Sequence, residues 1–341
     1  MNKLDELFDQ FYDHALTDSV KAVGPVERKL TLKTGLLNLL GDFSQLEEEM
    51  LTAKPELLEK REFPEYTREL FLFPITPLLE CKMYVLTPKS EQNFYPSVLA
   101  LHGHGYGVKE IVGLKENGEE DDGEPGIHQY FAVKLVKKGL KVFAPEVIGF
   151  GERMLTRDIK QGKQNSCEAM ATNLLMEGKT LAGLRIWEAR QVLSYMEKHP
   201  DVNADKLGMM GFSGGALVTA YTAALDLRVK ATVLTGFTNT FRGSIMAMRH
   251  CIDNYVPGIL NFAELPEWIS LIAPRALFIE AGDKDPIFPH RSVLEAIKEI
   301  EEAYHNRPEK FAYDIFPGSH EISGRKAYDW LKKSTLVGVV L

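Results

Sequence analysis

The sequence predicts an α/β protein: a mostly parallel, eight-stranded sheet covered by helices on both faces and preceded by a helical N-terminal extension. Two observations carry this. From about residue 66 onward, short apolar runs rich in β-forming residues alternate with helix-length segments, the pattern of repeated strand–helix units. The runs are near-continuously apolar, as strands covered on both faces are.

Residues 1–65 read as helical, without a strand. Leu4, Leu7, Phe8, Phe11 and Tyr12 recur at three- and four-residue spacing, which sets them on one helix face. A second helix spans 26–40 and stops at Gly41, which suits a C′ position; a third spans 43–51. This extension (1–65) either packs plainly on the main domain (66–341) or acts as a lid or oligomer arm. In the main domain, the runs 69–75 and 81–86 lie on either side of Pro77 and read as an antiparallel pair. Six more strands follow at 97–101, 140–144, 207–210, 231–234, 276–279 and 311–315. Helices fit between and after them at 129–138, 183–198, 215–226, 291–304 and 324–333, with right-handed crossovers. Residues 115–126 form a polar, acidic loop.

Composition narrows the function classes. Of 341 residues, 45% are hydrophobic and 26% charged, and the net charge is −8. That balance suits a soluble globular chain and offers no basic surface for nucleic acid or an anionic membrane. No run of about 18 apolar residues occurs. The first residues turn acidic at once, so no signal peptide is expected. Three scattered cysteines, Cys81, Cys167 and Cys251, are too few for a disulfide framework or a zinc motif. A reducing, cytoplasmic setting with buried, inert thiols follows.

The chemistry is concentrated at Gly211-Phe212-Ser213-Gly214-Gly215. This G-x-S-x-G stands between a strand and an apolar helix, where a sharp turn lifts a serine hydroxyl above the sheet. Glycines two before and two after keep neighbouring backbone from colliding with the turn. A serine hydroxyl needs a base, and the base needs an orienting acid. Active groups of open α/β sheets lie beyond the carboxyl ends of strands. Beyond 276–279 come Asp283 and Asp285; beyond 311–315 comes His320. The order Ser, Asp, His is the known order of one serine-hydrolase class. His14, His128, His199, His250, His290 and His305 read as surface or satisfied core. One oxyanion donor is expected at the N–H of Gly214, the residue after the nucleophile. The other belongs in the glycine-rich loop 102–105. His102 and His104 in that loop form an i, i+2 pair, but no third ligand stands near in sequence, so no metal is expected. His102 reads as a prop for the loop.

These stretches together resemble the α/β-hydrolase superfamily, and within it the dienelactone hydrolase and acetyl xylan esterase-like group of bacterial esterases. The resemblance spans roughly 66–335 and rests on LHGHG at 101–105, APEVIGFGER at 144–153, LLMEGKTLAGLRIWEAR at 174–190, GFSGG at 211–215, APRALFIEAGDKDPIFP at 273–289 and FPGSH at 316–320. It implies an α/β-hydrolase fold and an acid in a G-x-x-D-x-x-x-P turn. Gly282, Asp285 and Pro289 match that turn, which selects Asp285 over Asp283. It also implies the N–H of His104 as the second oxyanion donor, with Gly105 the alternative.

The expected function is carboxylic ester hydrolysis by Ser213, His320 and Asp285 through an acyl-enzyme, without cofactor or metal. The expected partner is a small-molecule ester, with acetylated sugars suggested by the resemblance alone; a homo-oligomer stays open. A peptidase, a lactonase and a non-catalytic hydrolase-fold binding protein are the alternatives. Dienelactone hydrolases proper usually carry cysteine at the nucleophile, and Ser213 departs from that. Residues 150–182, with Arg153, Arg157, Lys160, Lys163 and Lys179, roof the site or form a solvated excursion. Residues 237–262, rich in methionine and aromatics, read as core or as pocket lining.

Overall fold

The computed structural model describes residues 2–18, 24–52 and 54–336. Three helices lead, α1 (Lys3–Asp18), α2 (Pro25–Leu40) and α3 (Ser44–Glu48). Three strands follow, β1 (Glu56–Glu62), β2 (Tyr66–Thr76) and β3 (Leu79–Pro88). The chain then alternates through β4 (Tyr95–Leu101), α4 (Phe131–Lys137) and β5 (Lys141–Pro145). Three helices, α5 (Thr156–Lys160), α6 (Cys167–Met176) and α7 (Leu181–Lys198), precede β6 (Val202–Phe212). The remainder is α8 (Gly214–Leu225), β7 (Val229–Thr235), α9 (Leu265–Ser270), β8 (Ala276–Gly282), α10 (His290–Ala303), β9 (Phe311–Phe316) and α11 (Ala327–Leu336).

The strands form one sheet in the order β1-β2-β3-β5-β4-β6-β7-β8-β9. β1, β2 and β3 pair antiparallel in sequence, β3 joins β5 antiparallel, and every pair from β5 to β9 is parallel. The strand count corrects the expected eight to nine. The extra strand, β1, lies inside the stretch read as purely helical. Its sequence, ELLEKRE, consists of good helix formers, and all seven residues are exposed. A strand on the sheet's edge with no buried face shows no alternation to read. Its pairing with β2 shifts register between Leu57 and Glu59, a bulge in an open edge.

The central strands divide their side chains with period two. Leu99 and Leu101 of β4 and Leu207 and Met209 of β6 enter one core, while Val98, Ala100, Met210 and Phe212 enter the other. The first core is covered by α2, α6, α7, α8, α9 and α10, the second by α4 and α11. Each helix meets its core by its own spacing. Val293, Ala296, Ile297 and Ile300 form the buried stripe of α10, whereas α8 is buried almost all round, as a helix between sheet and outer helices must be. In α2, Leu32, Leu36 and Leu40 are buried. In α1, Leu4, Leu7, Phe8 and Phe11 are exposed, so the apolar face read from its spacing is not part of this core. The Tyr12 hydroxyl donates to Glu264 at 2.8 Å and ties α1 to the body.

Candidate active site

Ser213 stands between β6 and α8 with φ 53° and ψ −121°. A non-glycine residue here is strained, and such strain is held only where the surroundings fix it. The fixing contacts are visible. The Ser213 N–H donates to Thr235 O at 2.9 Å, locking the turn to β7. A Cβ on Gly211 would stand 2.3 Å from Gly215 O, and one on Gly215 would stand 2.2 Å from Leu101 O. Both flanking glycines are therefore required by contact, which is the physical content of the G-x-S-x-G spacing.

The strand ends bring the three expected side chains together. His320, after β9, stands with Nε2 2.9 Å from Ser213 Oγ and Nδ1 2.7 Å from Asp285 Oδ2. Asp285, after β8, is buried, and its other oxygen accepts the N–H groups of Ile287 at 2.8 Å and Phe288 at 3.0 Å. The His320 ring lies between Phe212 and Phe288, with centroids at 4.9 and 5.6 Å. Asp283 does a different job. It is exposed, and its carboxylate accepts Gly318 N–H at 3.1 Å, which joins the loop after β8 to the loop carrying His320.

The loop after β4 closes over the serine. A Cβ on Gly103 would meet Phe212 O at 2.9 Å and Ser213 Cβ at 3.0 Å, so only glycine lets this backbone come so near. His102 accepts Val147 N–H at 3.0 Å and contacts Gly103 O through Nδ1 at 2.8 Å, which ties the loop to the segment after β5. His128 Nε2 accepts Gly103 N–H at 3.0 Å, with Glu110 2.7 Å from its Nδ1. Burial lowers the His128 pKa against the pull of Glu110, which keeps Nε2 free to accept. His128, read as satisfied core, is therefore a support of this loop; a lone histidine gives no sequence signal for that. The His104 ring packs over Gly214, 3.3 Å from where a Cβ would sit. Among the described residues, no acceptor takes the N–H of His104 or of Gly214.

Beside this loop opens a cavity of about 770 Å³ lined by His104, Tyr106, Lys109, Glu152, Ile159 and Lys163, among others. Of the basic residues in 150–182, Arg153 turns away and makes a bidentate pair with Glu188 at 2.6 and 2.7 Å. In 237–262, Phe237, Phe241 and Ile245 are core.

One grouping was not legible at all. His104, Cys167, Cys251 and Asp253 converge with their donor atoms within 4.8 Å of one another. The side chains that join His104 here come from α6 and from the loop before α9, far from the His102–His104 pair in sequence. Arg185 of α7 donates to Asp253 at 2.5 Å and approaches Cys167 Sγ at 3.2 Å. The hydrogen bond from Cys251, with help from Arg185 and against burial, holds Cys167 well below the usual thiol range, and Cys251 moves the opposite way. Cys81 and Cys167 are buried, and Cys251 is half-buried.

The model of the Dienelactone hydrolase family matches residues 108–321. A Bacillus subtilis (strain 168) protein described as a hydrolase, YtaP, is 29% identical over 276 residues, covering 79% of this chain and 85% of that one. Among solved structures, a protein from Bacteroides fragilis described as an acetyl xylan esterase has TM-score 0.67 at 17% identity, covering 91% of this chain and 84% of that one. A glucuronoyl esterase from Solibacter usitatus has TM-score 0.60 at 14% identity, covering 89% and 91%. At such identities these two structures bear on the fold, which is that of the α/β-hydrolases. With more than half of its length matched by the one model, the chain belongs to the dienelactone hydrolase family and is a carboxylic ester hydrolase.

Proposed function

We propose that the enzyme cleaves its esters with Ser213 as nucleophile, His320 as general base and acid, and Asp285 as the group that orients the imidazole. The observation that carries this is the continuous chain of contacts, 2.9 Å from Ser213 Oγ to His320 and 2.7 Å from His320 to Asp285. In the first half-reaction Nε2 takes the serine proton as Oγ attacks the ester carbon. Asp285 accepts from Nδ1, fixes the tautomer and stabilises the imidazolium. The N–H groups of His104 and Gly214 receive the oxyanion, a contribution of about 3 kcal/mol per donor. His320 then returns the proton to the departing alcohol. In the second half-reaction water gives its proton to His320 and attacks the acyl-serine; His320 then returns that proton to Ser213 Oγ as the C–O bond breaks and the acid is released.

The substrate we favour is a polar, hydroxyl-bearing ester such as an acetylated sugar. Support comes from the cavity beside His104, where Tyr106, Lys109, Glu152 and Lys163 offer both donors and acceptors. The names of the solved neighbours lean the same way. A cytoplasmic setting belongs to the same reading, since Cys167 and Cys251 face each other as free thiols. No described helix is long and apolar enough to cross a membrane.

The test is labelling by a fluorophosphonate probe and turnover of p-nitrophenyl acetate, followed by a panel of acetylated sugars, lactones and peptides. Both signals are expected to vanish in Ser213→Ala. Equal labelling in that variant would assign the nucleophile elsewhere.

A further inference from the structure

We propose that His104, Cys167, Cys251 and Asp253 form a binding site for one soft divalent cation of the zinc class. The four residues come from three separate places: the loop after β4, the first residue of α6, and a Cys-x-Asp turn at 251–253. Nothing in the proposed ester chemistry requires Cys167, Cys251 or Asp253, so their convergence needs its own account.

The donor set selects the ion. Two sulfurs, one imidazole and one carboxylate suit zinc or its soft relatives, whereas magnesium and calcium take oxygen shells. Zinc holds sulfur at about 2.3 Å and nitrogen at about 2.0 Å, which places tetrahedral ligands roughly 3.5 Å apart. Donors already within 4.8 Å of one another need a closure of about an ångström to reach that spacing. The Nε2 atom of His104 is buried and makes no hydrogen bond, so a lone pair or a proton there is unspent. Phe150 stands edge-on to the His104 ring at 4.9 Å and walls that side.

Arg185 and Asp253 are buried as a pair. Asp253 is already oriented by Arg185 on one oxygen and by Asn254 at 2.8 Å on the other. Carboxylate oxygens keep a second lone pair each, so these partners act as an outer shell of the kind that aims metal ligands. Because the His104 ring lies over Gly214, a bound ion would pin the loop above Ser213 to α6 and to the 251–254 turn.

The experiment uses the full chain, reduced with a phosphine and stripped by a chelator, then titrated with cobalt(II) in the absence of any ester. One equivalent is expected to bind with thiolate-to-cobalt charge-transfer absorption and intense tetrahedral d–d bands, and zinc is expected to displace it. Cys251→Ser and Cys167→Ser should each weaken binding at least on the order of tenfold and lose charge-transfer intensity, while Cys81→Ala, elsewhere in the core, should retain both. Melting curves confirm that each variant is folded, and Cys251→Ser, at a half-buried position, serves if Cys167→Ser fails to fold. No uptake, an octahedral spectrum, or unchanged binding in Cys251→Ser would overturn the site. So would a stripped protein that refuses cobalt and instead shows a Cys167–Cys251 disulfide by intact mass. None of these outcomes touches the assignment of Ser213, which labelling tests separately.

Discussion

At Asp285 a single carboxylate divides its two oxygens between two tasks. Oδ1 accepts two backbone N–H groups and Oδ2 faces His320. An asparagine there would have to place its amide NH2 either against those N–H donors or against His320 Nδ1, which reverses the imidazole tautomer. Asp285→Asn is therefore expected to lower kcat by on the order of 10⁴ with little change in melting temperature. Asp283→Asn keeps an oxygen for Gly318 N–H and should leave kcat within a few-fold, roughly as for any exposed polar change. Steady-state kinetics on the two variants decides between the carboxylates; a reversed ranking would move the acid to Asp283. Gly215 is constrained differently. With a Cβ at 2.2 Å from Leu101 O, Gly215→Ala must push β6–α8 away from β4, and soluble yield and melting temperature should both fall.

Among the elements, the seam between α2 and α7 shows how one side chain closes two helix ends. The Thr180 hydroxyl accepts Gly183 N–H at 2.9 Å, capping α7, and donates to Leu40 O at 2.9 Å, closing α2. Thr180→Ala removes both and should cost about 1–2 kcal/mol of stability, read from denaturant midpoints. Gly183 lets the helices touch, since a Cβ there would lie 2.1 Å from Leu40 O. Legibility follows the same physics of burial. The runs that became β4 to β8 were readable because both faces are covered, so their buried stretches are mostly apolar; β9, with Tyr313 exposed, was readable from its place after a helix-length segment. The convergence of Ser213, Asp285 and His320 was readable because those strands deliver the three side chains at their carboxyl ends. β1 was not, because an edge strand with seven exposed side chains carries no periodic signal. The cluster at His104 was not, because its members lie 63 and 84 residues apart along the chain (from 104 to 167, and from 167 to 251) and only the packing of α6 against the 251–254 turn unites them.

For the whole molecule, pH acts through a buried carboxyl, that of Glu280. Glu280 sits where β7, β8 and the turn before α11 meet, bonded to Thr235 Oγ1 at 3.1 Å and to Gly324 N–H at 2.8 Å. Burial pushes its carboxyl up to about 7, from an ordinary 4.5. Between those values the native chain holds a proton that the unfolded chain has released, so stability falls as pH rises through this window. The full drop is of order 3 kcal/mol. Glu280→Gln mimics the protonated form, with its amide toward Thr235 and its oxygen toward Gly324. The variant should melt like the parent at the acid side of the window and above it at the alkaline side. Parallel melting curves across the whole range would show that Glu280 titrates normally.

The bulged, charged strand β1 bears on how many copies can share a solution. A parallel-sheet protein that ended in a flat, apolar edge would offer its unpaired N–H and C=O groups to the next copy, and crowded chains would zip into fibres. Here Glu59, Lys60, Arg61 and Glu62 line the outermost strand and a bulge twists it. Lys60 and Arg61 reach inward to Glu69 and Glu120, so the fence is anchored as well as charged. Replacing these four by threonine and valine should leave the catalytic face intact yet make the protein self-associate on concentration more than the parent does, a change that light scattering would follow directly.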